Sequence, residues 1–135
     1  MGRQEYLIDT NVTIEYIGEA LPEKALSMLE SIIDRRFYIS VINKIELLGF
    51  SDITENEEQK FKEFINAADV LELDEDIVNS TIEVRKKYKI KLPDSIIAAT
   101  ALVKNLAIIT RNVKDFDKIA GLEVLNSYNV ETGVG

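Results

Sequence analysis

The sequence predicts an α/β fold, a parallel sheet with helices on both faces. Three observations carry this. Short apolar strand-like segments alternate with amphipathic helical ones along the chain, a pattern joined by right-handed crossovers. Leu106-Ala107-Ile108-Ile109 is continuously apolar, as a strand covered on both faces should be. Finally, Asp9, Glu46, Asp94 and Asp115 each fall at a strand end or in the helix just beyond one, and such sheets gather ligands outside the carboxyl ends of their strands.

Taken in order, Glu5-Tyr6-Leu7-Ile8-Asp9 reads as a first strand. Thr10 and Asn11 are good capping residues for a short helix striped by Val12, Tyr16 and Ile17. Pro22 suits the first turn of a second helix, whose Ala25, Met28, Leu29, Ile32 and Ile33 share one face. Arg36–Ser40 is a second strand, and Ser40 caps a helix that runs to Leu48 and is stopped by Gly49. Thr54 and Glu57 form a capping box, opening a helix with Phe61, Phe64, Ile65 and Ala68 on one side. Val70–Leu73 is a short strand, Asp74 starts a helix to Lys87, and Pro93 opens another to Lys104. The strand Leu106–Ile109 follows, then a last one at Leu122–Leu125 and a loose polar tail.

A chain of 135 residues, 46% apolar and 30% charged, makes one soluble domain with a real core. No apolar run approaches the roughly 20 residues that span a bilayer, and the start shows no secretory signal. Without cysteine there is no disulfide framework, so a cytoplasmic location is expected. The net charge of -8 argues against nucleic-acid binding through bulk electrostatics. The balance is uneven, however. Acidic residues concentrate in 55–76, whereas Arg85-Lys86-Lys87-Tyr88-Lys89-Ile90-Lys91 is densely basic and Arg111, Lys114 and Lys118 follow. That basic stretch reads either as a solvated helix end favoured by the helix dipole or as a substrate-facing surface.

The chain has no histidine and no cysteine, so its chemistry must run on carboxylates, hydroxyls, amides and cations. Carboxylates brought together repel one another and resist losing water, so a cluster needs protons or cations. Mg²⁺ or Mn²⁺ meets that need, favouring oxygen ligands while retaining waters. Phosphodiester hydrolysis is the reaction class such a site suits. Singly, each residue has a plainer role: Asp9 as a helix cap, Glu46 as an exposed helical glutamate, Asp94 as an acidic helix start, Asp115 as the cap of a short turn.

Four segments together carry more. Leu7-Ile8-Asp9-Thr10-Asn11-Val12, Ile45-Glu46-Leu47-Leu48, Leu92-Pro93-Asp94-Ser95-Ile96-Ile97-Ala98-Ala99-Thr100-Ala101 and Ile109-Thr110-Arg111-Asn112-Val113-Lys114-Asp115-Phe116 resemble the PIN-domain family, in its order and over the whole chain. The likeness is strongest to the small VapC-type toxins of toxin–antitoxin pairs. It implies a three-layer α/β/α fold over 1–127 with a five-stranded parallel sheet of order 3-2-1-4-5, and a tail at 128–135. It also implies a metal-dependent ribonuclease that forms a homodimer and is inhibited by a small antitoxin. Carried over by position, Asp9 and Asp94 are the principal ligands of Mg²⁺ or Mn²⁺, with Glu46 completing the set and Asp115 as the fourth acidic residue. Thr110, Asn112 and Asn11 are polar supports. Asn112 stands where many relatives carry an acid, which favours one strong metal over two. On charge alone, Arg111, Lys87, Lys89 and Lys91 are candidates for RNA phosphate contacts. Without histidine, a histidine-driven route through the 2′-hydroxyl is excluded, so 5′-phosphate and 3′-hydroxyl ends are expected.

Three other readings compete. Asp9-Thr10-Asn11-Val12-Thr13 resembles the nucleophile motif of haloacid-dehalogenase-type phosphatases, but Asn11 stands where their general acid belongs. A receiver domain needs an acidic pair after the first strand and a lysine after the last, and has neither here. A catalytically silent PIN-like binding module would use the acidic edge only as a partner surface.

Overall fold

The computed structural model describes residues 4–129. Five parallel strands, β1 (Tyr6–Ile8), β2 (Tyr38–Ser40), β3 (Asp69–Leu71), β4 (Ala107–Thr110) and β5 (Val124–Asn126), form one sheet in the order β3-β2-β1-β4-β5. The helices are α1 (Thr10–Ile17), α2 (Glu23–Ile33), α3 (Val41–Leu48), α4 (Glu55–Ala67), α5 (Glu75–Lys87), α6 (Leu92–Lys104) and α7 (Val113–Asp117). This is the three-layer arrangement expected from the sequence. Among the described residues no helix is long and apolar enough to cross a membrane.

The pleat explains the two cores. Successive strand side chains point to opposite faces, so neighbours in sequence join different layers. Leu7, Tyr38 and Ile108 pack with Val84, Ile97, Ala98 and Ala101 of α5 and α6. Ile8, Ile39 and Ile109 pack with Val12, Leu29, Phe61 and Phe64 of α1, α2 and α4. In that second layer the Phe37 and Phe64 rings lie 5.0 Å apart, centroid to centroid. Helix α6 is buried from Ser95 through Ala101, which is why its sequence is apolar nearly all round.

Helix boundaries follow local chemistry. Ser40 caps α3, Thr54 and Glu57 close the capping box of α4, and Asp74 caps α5 by accepting from the Ile77 amide. Gly49 ends α3, and Asn105 ends α6 in the left-handed conformation that asparagine tolerates. Two strands sit differently from expectation. β3 begins at Asp69, whose amide is bonded to the Phe37 carbonyl, and leaves the sheet after Leu71, so Leu73 is exposed. β5 begins at Val124 because a turn at positive-φ Gly121 takes up Leu122. Edge strands are only half buried, so hydrophobicity marks their ends poorly. Helix α7 is the short turn expected around Asp115, but Asn112 stands at its N-cap and Asp115 lies inside it; the 3-10 turn Ser127–Asn129 was not anticipated. Apart from its first two residues, the expected tail at 128–135 lies outside the described residues.

The order of strands sets the site. The chain steps outward from β1 to β2 to β3, then returns to the other side of β1 for β4 and β5. The direction of winding therefore reverses at β1 and β4, and the helices leaving their carboxyl ends diverge to open a crevice there.

Candidate active site

Asp9 stands at that reversal, one residue beyond β1, and is 5% exposed. It is held from both sides. Its Oδ1 accepts from the Thr10 amide at 2.9 Å and from Asn43 Nδ2 at 3.5 Å. Its Oδ2 accepts from the Thr110 hydroxyl at 2.8 Å and from Asn11 Nδ2 at 3.4 Å. It is the N-cap of α1, the plainer role the sequence offered it, whereas Thr10 and Asn11, also expected as caps, lie inside the helix.

The polar contacts continue outward. Toward β4, Thr110 Oγ1 accepts from the Asn112 amide at 2.9 Å, and Asn112 Nδ2 donates to Asp115 at 2.9 Å. Toward α3, Asn43 Nδ2 donates to Thr10 Oγ1 at 3.0 Å, and Thr10 Oγ1 donates to Glu46 Oε1 at 2.6 Å. One chain of hydrogen bonds thus joins Asp115, Asp9 and Glu46, which lie on three separate elements.

Electrostatics brings in the fourth acid. Burial pushes the Asp9 carboxyl up from 3.8 to about 6 despite the bonds from Thr110 and Thr10, and the charges of Asp94 and Glu46 push the same way. Asp94, half-buried in the first turn of α6, is also raised, first by burial and then by Glu46 and Asp115, while Lys91 opposes. The four acids predicted from sequence therefore lie at one edge of the sheet, where Asp94 and Glu46 act on Asp9, and Glu46 and Asp115 act on Asp94.

The basic candidates divide. Lys91 caps α6 and acts on Asp94. Lys87 ends α5, and the Lys89 carbonyl accepts from Lys118; neither joins the acidic network. Arg111 is paired with Glu15, and its guanidinium lies 4.3 Å over the Tyr128 ring, whose hydroxyl also donates to Glu15. Asn43 and Glu15 are the polar residues that sequence reasoning missed. Asn43 had a signal, since it stands three residues after the cap Ser40; Glu15 had none, its partners being 96 and 113 residues away. A groove of about 550 Å³ lies elsewhere, between α1, α2 and α4 around Tyr16, Leu21, Leu26 and Lys60.

The donor set is all oxygen, and its two buried or half-buried members, Asp9 and Asp94, are reluctant to stay ionised alone. Those properties fit a hard divalent cation. Among the described residues no three acidic side chains form a ready-made cage. A cation of the Mg²⁺ type is commonly held by one or two carboxylates with waters filling the rest, so the residues fit the group without such a cage.

An open parallel sheet with a carboxylate cluster at its switch point defines an α/β/α protein with an acidic edge site. More particularly, a family model for the PIN domain matches residues 6–122, and the chain belongs to that family. Solved structures agree. A chain of a toxin–antitoxin complex from Klebsiella pneumoniae is 30% identical, with a TM-score of 0.75 over 92% of this chain and 98% of that one. VapBC-1 from nontypeable Haemophilus influenzae is 26% identical, with a TM-score of 0.77 over 92% and 98%. FitAcB from Neisseria gonorrhoeae is 26% identical, with a TM-score of 0.75 over 92% and 99%. A search of the curated proteins finds no significant match.

Proposed function

We propose that this chain is a metal-dependent endoribonuclease and the toxin of a VapBC-type toxin–antitoxin pair, acting in the cytoplasm as a homodimer. The observation that carries the reading is that Asp9 and Asp94 are both raised, by burial and by the nearby Glu46 charge, at the switch point of a PIN-domain sheet. The toxin assignment draws support from the neighbours, which include a toxin–antitoxin complex and VapBC-1.

On this reading Asp9 and Asp94 hold Mg²⁺ or Mn²⁺, and Glu46 completes the set directly or through water. The cation, when bound, supplies a Lewis acid for the phosphoryl oxygen and lowers the pKa of water. Glu46, exposed and accepting from Thr10, orients the attacking water and takes its proton. Thr110 and Asn11 keep Asp9 fixed, while Asn112 holds Asp115. Lys91, beside Asp94, contacts a phosphate flanking the scissile bond. Cleavage leaves 5′-phosphate and 3′-hydroxyl ends. A second reading, a silent binding module, is favoured by the neutral Asn112.

The test is cleavage of a mixed transfer and ribosomal RNA pool with Mn²⁺ or Mg²⁺ and with chelator, with Asp94→Asn protein alongside. Metal-dependent cutting that vanishes in the variant is the expected result, and end mapping identifies the target. No cutting together with no Mn²⁺ binding by calorimetry supports the silent module.

A further inference from the structure

Asn43 is wholly buried, lies 34 residues from Asp9 in sequence, and bonds to three partners with fixed polarity. Its Oδ1 accepts from the Ser40 amide at 2.8 Å, closing the capping box of α3. That bond fixes the amide orientation, so Nδ2 must face the site. One Nδ2 proton is directed at Thr10 Oγ1, at 3.0 Å, and the other at Asp9 Oδ1, at 3.5 Å. Thr10 Oγ1 has a single proton, and the incoming bond from Asn43 leaves that proton for Glu46 Oε1, at 2.6 Å.

We infer that Asn43 is a positioning residue: through Thr10 it aims the Glu46 carboxylate at the site while steadying Asp9. The inference deepens the ribonuclease reading and rests on it for the catalytic consequence. Chemistry explains the residue type. The position needs an acceptor toward Ser40 and donors toward Thr10 and Asp9, and an amide supplies both. A carboxylate there would keep the helix cap but place another negative charge against Asp9. It would also compete with Glu46 for the Thr10 proton. An exposed glutamate otherwise has free rotamers, so one directed short bond decides where its carboxylate points.

The experiment compares Asn43→Asp, Thr10→Val, their double variant and Thr10→Ser. Substitutions of groups that orient metal-site residues typically cost about 10–100-fold in activity or metal affinity. Thr10→Val and Asn43→Asp should each lower kcat within that range with KM for RNA little changed. The double variant should be no worse than the poorer single, since both break one linkage. Thr10→Ser, which keeps the hydroxyl, should recover most of the loss. Independently of activity and metal, the Asn43 side-chain amide should give protected, slowly exchanging proton resonances by NMR. Those should shift in Thr10→Val and hold in Thr10→Ser. Additive losses, wild-type kcat in Thr10→Val, or an unprotected Asn43 amide would overturn the relay. If Asn43→Asp fails to fold, the Thr10 pair and the amide spectrum decide alone. Wild-type protein that cuts no RNA but shows the expected amide spectrum sinks the ribonuclease reading and leaves the relay standing.

Discussion

Replacing Asp9 with asparagine should stabilise the metal-free protein near neutral pH, although it removes a residue proposed to bind metal. The folded protein raises this carboxyl from 3.8 to about 6, chiefly by burial. A raised carboxylate binds its proton more tightly folded than unfolded. Its stabilisation is therefore complete below about pH 3.8 and is lost as pH climbs to about 6. At 1.36 kcal/mol per pH unit, the charged form costs the fold about 3 kcal/mol at pH 7.5. Asparagine escapes that cost and still caps α1 through its oxygen. It gives up the oxygen that accepts from Thr110 and Asn11, together worth about 1–2 kcal/mol. The net gain is about 1–2 kcal/mol, or roughly 3–8 °C in Tm for a domain of this size. Thermal unfolding by circular dichroism, in chelator from pH 4 to 8, measures it. The variant's advantage should grow from pH 4 to 6 and then level off. On the proposed function, Mn²⁺ at a hundredfold excess over Kd returns about 2.7 kcal/mol to the wild type and far less to the variant. An Asp9→Asn protein less stable than wild type at pH 7.5, or an advantage that ignores pH, refutes the reasoning.

Two further outcomes concern the scaffold. Phe37→Ala removes a wholly buried ring packed on Phe64 and should cost about 3–5 kcal/mol in urea unfolding. Gly49→Ala brings its new Cβ to 2.7 Å from the Ile45 carbonyl oxygen, so the end of α3 must shift, at about 1–3 kcal/mol by the same assay.

The sequence by itself determined what depends on neighbours along the chain. The alternation of elements, the caps Ser40, Thr54 and Asp74, the stop at Gly49 and the buried α6 were all legible, because each rests on contacts within a few residues or on one element's periodicity. Asp9, Glu46 and Asp115 could be named because they follow strands, and parallel strands end at a common edge. Asp94, in a helix that follows another helix, could be named from the segment Leu92–Ala101 that carries the family resemblance. Only the tertiary structure decided how they interact. The partners of Asp9 at Asn43 and Thr110 lie 34 and 101 residues away, and the Arg111–Glu15 pair closes across 96. Arg111, which charge alone offered to RNA, is thereby tied to Glu15 and Tyr128. Burial raises Asp9, and burial exists only once β1 lies between β2 and β4 with helices over both faces. Local pattern names the groups, whereas desolvation and hydrogen-bond direction, which give them their chemistry, come from packing.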